Sequence, residues 1–573
     1  MTAFALQVLH DVVPRPRTIL LVTTALACAS EAPAPDYLTG NGGADFMEVT
    51  AAAGVTHTYD FPAGIRAKSH VVVNVGGGVV AEDLDEDGWP DLYVADGAGQ
   101  NSLFWNVGYG RFSEGAEAAG ARFEGDWTIA VGAADIDNDG DQDLYLLNRE
   151  RDRLLRNDGG RRFTDIAAAA GTDFDGAGLG VQFGDLDGDR LLDLFVSSTV
   201  LATGELQTGS TQSDIVDWGL AQSRLLHARP DGTYVEVQDL VQPSGLPPSN
   251  PFVGALVDLD GDGDLDLYLV EDTQGRVLNA LYENRGKNAE TGFVNLVDVS
   301  ATCNCQYPMA GMGLGLLDYD GNGLPDLYVT NIQDLYPNRE ALLLNKGSLV
   351  FQDVTEAIGA YAMDGANPSG PRAVSWGAVT LDVQNDTLED LLVVYGELVM
   401  DPRPDGSTME GEAFLPAQPD ALLIGQSDGQ YAVQLGSGLE DVGRGHAAVT
   451  ADFDLDGCQD VYLVNLESPS RLYRNRCRSG YAWVALDLEG TRSNRDGIGA
   501  RIRVKALGRT QWRHLTGCST SVHSCGPKRV HVGLGPASVI DELEIRWPSG
   551  AVQRLDGLAI NRVHKVVEPA ANE

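Results

Sequence analysis

Basic residues are scarce in this chain. Forty Lys and Arg stand against 83 Asp and Glu, a formal net charge of −43. That balance excludes nucleic acid, or an anionic membrane, as a partner held through a basic surface. Long apolar runs are lacking too. Residues 18–27 are too few to span a bilayer, and no other run is long enough for a transmembrane segment. There is no phosphate-cradling Gly-x-x-x-x-Gly-Lys-Ser/Thr and no His-Glu-x-x-His. The nine His are scattered. His70 and His446 are expected close before inner strands, in a structural or solvent role, and His514, His523 and His531 in the C-terminal part, in fold-forming roles. Trp127 and Trp376 are expected to pack rather than to stack on a substrate. No catalytic residue and no organic cofactor is expected. The chain is nevertheless not a disordered acidic one, because 43% of it is hydrophobic, and 573 residues suffice for more than one domain.

What the chain has in abundance is one carboxylate loop, repeated seven times. Its fullest copy is Asp258-Leu259-Asp260-Gly261-Asp262-Gly263-Asp264-Leu265-Asp266. Carboxylates at positions 1, 3, 5 and 9, with Gly at 6, converge oxygens on one point, as a hard cation such as Ca2+ requires. An empty loop would hold repelling like charges, so the pattern makes sense as a filled site. Position 12 is Leu269, inside an apolar strand-like run, so the loop is not an EF-hand. The expected ligands, copy by copy, begin with Asp83, Asp85, Asp87 and Asp91, then Asp135, Asp137, Asp139 and Asp143. Asp185, Asp187, Asp189 and Asp193 follow, then Asp258, Asp260, Asp262 and Asp266. The fifth set is Asp318, Asp320, Asn322 and Asp326, and the last is Asp452, Asp454, Asp456 and Asp460. The copy at Asp382 is degraded, with Gln384 at position 3 and Thr387 at position 6, and is expected to bind weakly or not at all. About six structural Ca2+ sites result. The regular spacing favours metal ligation over paired catalytic carboxylates.

Residues 1–28 read as an export signal. Arg15 and Arg17 precede the short apolar run, and Ala25-Leu26-Ala27-Cys28 offers small residues before a Cys. This resembles a bacterial lipobox, which would attach the protein to a membrane through lipid on Cys28; ordinary cleavage and free secretion is the alternative. Residues 29–45, rich in Ala, Pro and Gly, read as a tether. Six Cys then remain, an even number that suggests disulfides in an exported chain. Cys458 with Cys477 and Cys518 with Cys525 are the nearest neighbours, which leaves Cys303 and Cys305, too close in sequence to assign.

Around each loop the sequence follows one grammar. A Gly-rich apolar stretch enters the loop, as in Val75-Gly76-Gly77-Gly78-Val79-Val80, and a run such as Leu92-Tyr93-Val94 leaves it. A third strand ends in a turn, as in Leu154-Leu155-Arg156-Asn157, and an aromatic-acidic segment such as Phe163-Thr164-Asp165-Ile166 follows. Four short strands per repeat is the unit of a β-propeller blade. The continuously apolar post-loop run is expected to be the inner strand. The seventh repeat lacks its last segment, and an orphan copy, Phe46-Met47-Glu48-Val49-Thr50, stands before the first. Pairing the two would close the ring. The fold expected is all-β: a seven-bladed β-propeller over residues 46–477, with a small C-terminal β domain over 478–568 packed beside or beyond it.

These repeats resemble the FG-GAP or VCBS repeats of integrin α-like propellers, and Phe183-Gly184 and Val131-Gly132-Ala133-Ala134 echo the motif that names them. Asp496-Gly497-Ile498-Gly499-Ala500-Arg501-Ile502, His531-Val532-Gly533-Leu534-Gly535 and the stretch from Val539 to Gly550 are similar to the ASPIC/UnbV domain. Together they resemble the cartilage acidic protein-like family. Two functions stay open at this stage. One is a calcium-stabilised, non-enzymatic recognition, adhesion or scaffold protein at the cell surface, with a protein or glycan ligand. The other is a secreted or periplasmic propeller enzyme, such as a polysaccharide lyase or hydrolase, with its site on one propeller face.

Overall fold

A computed structural model describes residues 44–61, 76–175, 178–198, 223–237, 251–272, 277–288, 292–332, 339–362, 373–397, 418–477, 480–518 and 523–570. The export segment with Cys28, most of the tether, His70 and residues 201–220 and 400–417 lie outside these residues. Strands dominate. Among the described residues, seven sheets of four antiparallel strands precede two further sheets formed by residues 482–567.

The first sheet runs in order Val79–Glu82, Asp91–Val94, Ser102–Asn106 and Phe112–Glu114, and the next five repeat this order. The seventh is assembled from both ends of the propeller region. Gly445–Ala451, Asp460–Asn465 and Arg471–Asn475 take Phe46–Glu48 as their fourth strand, with Phe46 opposite Asn475 and Glu48 opposite Tyr473. The orphan segment therefore closes the ring and covers the edge of Arg471–Asn475.

The strands facing the ring's centre are the ones before the loops, not those after them. The first strands of neighbouring sheets pack on one another, and Val80 of the first sheet bridges to Cys525 in the middle of the molecule. Both kinds of strand are buried on both faces, so continuous apolarity could not tell them apart. The difference lies in the glycines of the pre-loop stretches, where a side chain would collide with its neighbour. A Cβ on Gly78 would lie 2.8 Å from the Ala130 Cα.

Among the described residues, four outer strands run into a single helical turn: Thr50–Ala53, Ala116–Ala119, Ala167–Ala170 and Thr355–Ile358. Each stops at a left-handed glycine, Gly54, Gly120, Gly171 or Gly359.

The C-terminal strands form two small sheets around one core. Val530–Gly535, Ala482–Glu489 and Val563–Val567 make one sheet. Arg509–His514, Arg501–Ala506, Glu542–Arg546 and Val552–Leu555 make the other. Val484, Leu486, Ile502, Val504, Val532 and Ile545 meet between them. Disulfides join Cys458 to Cys477, Cys518 to Cys525, and also Cys303 to Cys305.

The C-terminal domain does not stand beside the ring. It lies across the loop end and sends the Cys518–Cys525 turn into the centre. There the Cys525 N–H donates to Val79 O at 2.9 Å, the Ala81 N–H to Cys525 O at 3.0 Å, and Lys528 Nζ to Ala133 O at 2.9 Å. The sequence hid this because the contacts are made by single dispersed residues and by backbone.

Candidate metal centres

Every loop joins the first and second strands of its sheet, and one backbone path serves all seven. Positions 4 and 6 take positive φ in each copy, as in Glu86 and Gly88 (57° and 93°) or Leu455 and Gly457 (53° and 92°). Position 6 is Arg190 in the third loop (78°) and Thr387 in the sixth (81°). Thr387 thus makes this turn in place of Gly, at the steric cost of a β-branched residue in the left-handed region.

The carboxylates brace this path. In the first loop Asp83 accepts from the Asp87 and Gly88 N–H groups at 3.0 and 2.8 Å, and Asp87 accepts from the Trp89 N–H at 3.0 Å. Asp91 accepts from Leu84 at 3.0 Å and from Asn106 at 2.6 Å. The second, third, fourth, fifth and seventh loops use equivalent bonds from Asp135 and Asp143, Asp185 and Asp193, Asp258 and Asp266, Asp318 and Asp326, and Asp452 and Asp460. The degraded sixth loop keeps them as well, through Asp382, Asp386 and Asp390.

The remaining oxygens come together. Ligand atoms of Asp83, Asp85 and Asp91 lie within 4.8 Å of one another, as do those of Asp135, Asp137 and Asp143. So do those of Asp258, Asp260 and Asp262, and of Asp318, Asp320 and Asp326. In the third loop the grouping is Asp187 and Asp189 with His227. The Oδ1 atoms of Asp187 and Asp318 are buried and accept no hydrogen bond. Converging carboxylate oxygens with buried lone pairs left over fit a divalent cation of the Ca2+ kind.

Burial, with neighbouring carboxylates adding to it, pushes Asp91 up to about 9, Asp143, Asp266 and Asp326 to about 8, and Asp83, Asp318 and Asp452 to about 7. A metal-free loop would hold protons near neutral pH; a bound cation would displace them. Basic side chains stand near position 3 in four copies. Lys287 lies 3.3 Å from Asp187 and Lys346 3.1 Å from Asp320, while Arg161 reaches Asp85 and Arg474 reaches Asp454.

Two further sets of residues complete the loop face, and sequence reading had placed neither of them there. An Asn at the end of the third strand latches blade to blade. Asn284 Nδ2 donates to Leu186 O of the preceding blade's loop at 3.0 Å, and Asn106, Asn157, Asn345 and Asn475 repeat the contact with Phe453, Leu84, Leu259 and Val383. The recurring Leu-x-x-Asn pattern was the available clue.

The second set belongs to the C-terminal domain. Arg501 lies 3.2 Å from Asp258 and donates to Gly323 O at 2.8 Å. Asp496 accepts from the Asp135 N–H at 2.9 Å, and His531 Nε2 meets Asn385 Oδ1 at 2.8 Å. Burial holds His514 and His531 down to about 3 and His523 to about 4, so all three are neutral. His446 is buried against Trp376, their rings stacked with centroids 3.7 Å apart, and Trp127 is equally buried.

Comparison with known proteins agrees with this architecture. Residues 83–146, 135–196 and 258–329 match the family model of the FG-GAP-like repeat, and residues 490–573 match that of ASPIC and UnbV. Cartilage acidic protein 1 of Homo sapiens is 26% identical over 279 residues, 48% of this chain and 37% of that protein. The match thus spans little more than a third of that relative's length. A lectin of Agrocybe aegerita, solved for its recognition of non-reducing terminal N-acetylglucosamine, is 17% identical with a TM-score of 0.38, covering 69% of this chain and 86% of its own. BBS1N in complex with ARL6DN is 11% identical with a TM-score of 0.38, covering 73% and 94%. The chain is therefore an all-β protein in which repeats matching the FG-GAP-like model are followed by a segment matching that of ASPIC and UnbV, and about half of it is similar to cartilage acidic protein 1.

Proposed function

We propose that this protein is an exported, calcium-stabilised recognition or scaffold protein that binds a protein or glycan at the cell surface and carries out no chemistry of its own. The observation that carries the reading is the recurrence of one carboxylate-braced loop in every blade, with a second domain packed over the loop end. Ca2+ held at about six loops would supply rigidity, through Asp83, Asp135, Asp185, Asp258, Asp318, Asp452 and their partners at positions 3, 5 and 9. Buried, neutral His446 and His523 suit packing better than proton transfer.

Topology supports placing the recognition face at the end away from the loops. The C-terminal domain occupies the loop end. The connections spanning 199–222, 238–250 and 398–417 leave and re-enter their sheets at the opposite end, because antiparallel strands alternate direction. Binding is assigned to that opposite face. Among the described residues no helix is long and apolar enough to cross a membrane. Attachment is assigned to lipid on Cys28, so a Cys28→Ser protein is expected in the soluble fraction. The decisive experiment is a glycan and protein binding screen of the mature chain with and without Ca2+. Binding lost on deletion of residues 201–220 supports the reading. Turnover of a polysaccharide would replace it with the enzyme alternative.

A further inference from the structure

The third loop differs from the others in the atoms it gathers. Asp187 and Asp189 bring carboxylate oxygens to within 4.8 Å of an imidazole nitrogen of His227. His227 belongs to the strand Arg224–Ala228, at the register position held by Arg156 and Arg474 in the second and seventh blades. Its ring is fixed from two sides. Nδ1 lies 3.0 Å from Asp193 Oδ1, and the ring leans on Phe293 with centroids 4.3 Å apart. If Nδ1–H donates to Asp193, the Nε2 lone pair is left free, which is the carboxylate–histidine arrangement that readies an imidazole for a metal. Independently, Asp187 has an orphaned oxygen. Its side chain is only 5% exposed, Lys287 takes Oδ2 at 3.3 Å, and Oδ1 accepts no hydrogen bond.

We propose that Asp187, Asp189 and His227 form a mixed nitrogen–oxygen site that selects a transition-metal dication of the zinc class in place of Ca2+ at the third loop, while the oxygen-only loops take Ca2+. Ca2+ is bound by oxygen alone, whereas imidazole suits Zn2+ and its neighbours. Three protein ligands leave a tetrahedral ion one open position. The proposal rests on reading the loops as ion sites, and its test separates the two.

The full chain, stripped by chelator, is equilibrated with Zn2+ in saturating Ca2+, and both metals are counted after dialysis. One Zn2+ per chain is expected to remain, with one imidazole nitrogen in its shell by X-ray absorption. His227→Gln keeps a polar contact for Asp193, at a position that tolerates Arg elsewhere in the ring. It is expected to weaken Zn2+ retention by on the order of a hundredfold while leaving Ca2+ uptake unchanged. Asp187→Asn is expected to lower Zn2+ retention in the same direction. Zn2+ held equally by the parent and both variants, or not held by the parent at all, overturns the proposal. Failure of the other loops to take up Ca2+ would instead overturn the general reading, whatever the Zn2+ result.

Discussion

At the scale of single residues, stability in this ring is concentrated in a few buried polar contacts. Asn284 is fully enclosed and spans two blades, donating through Nδ2 while its own N–H is held by Asp266 at 2.9 Å. Asn284→Ala leaves Leu186 O without its donor, and the expected loss is about 1–3 kcal/mol, read as a lower denaturation midpoint. An unchanged midpoint would show that the latch is dispensable. Arg190 makes the opposite case: exposed, with φ at 78°, it stores strain a glycine would not. Arg190→Gly is expected to stabilise by about 1 kcal/mol, and a lower melting temperature would contradict this. The loop carboxyls set the pH response. In the metal-free chain Asp91 sits at about 9 and Asp143, Asp266 and Asp326 at about 8, against about 4 when unfolded. Between those values the folded chain holds more protons than the unfolded one, so its stability falls as pH rises. In excess chelator the protein should melt higher at about pH 5.5 than at about pH 8, and saturating Ca2+ should invert that order. A chelated protein that gains stability over the same rise would refute the assignment.

At the scale of elements, ring closure depends on three paired residues and their neighbours. Phe46 is buried, its N–H donates to Ser437 O at 2.8 Å, and the Leu472 N–H donates to Thr50 Oγ1 at 2.9 Å. A chain beginning at Val55 loses that strand and uncovers Arg471–Asn475 as an open edge. It is expected to aggregate or melt early, by light scattering and calorimetry. A monomer of parental stability would mean that the seam needs no fourth strand. Much of this element was legible in advance, because Phe46-Met47-Glu48-Val49-Thr50 repeats a pattern the seventh blade lacks. The order of strands within a blade was not, since pre-loop and post-loop strands are equally buried and only packing distances between blades separate them.

For the whole molecule, ions and the C-terminal domain act on one surface. Arg501 is 9% exposed and lies 3.2 Å from Asp258. Arg501→Ala leaves a buried carboxylate facing an empty space and is expected to weaken docking by about 3 kcal/mol, seen as faster proteolysis of the segment after Cys477. Cleavage at the parental rate would show that the inserted Cys518–Cys525 turn holds the domain alone. Chelation should lower the melting temperature markedly, because an ion that binds only the folded chain stabilises it by mass action. An unchanged melt in excess chelator would rule out structural ions.

Sequence by itself determined the local chemistry and its repetition. Carboxylates at fixed intervals, glycines at the turn and apolar runs on either side are short-range patterns, and seven copies leave one way to bury them. Tertiary structure alone decided where the copies meet others. Asp496 against the Asp135 N–H, His227 beside Asp187 and Arg501 on Asp258 join residues dozens to hundreds of positions apart. No periodicity encodes such contacts, because each depends on two domains, or on strands separated by a long connection, being packed first. The covering of the loop face by the C-terminal domain followed from that packing.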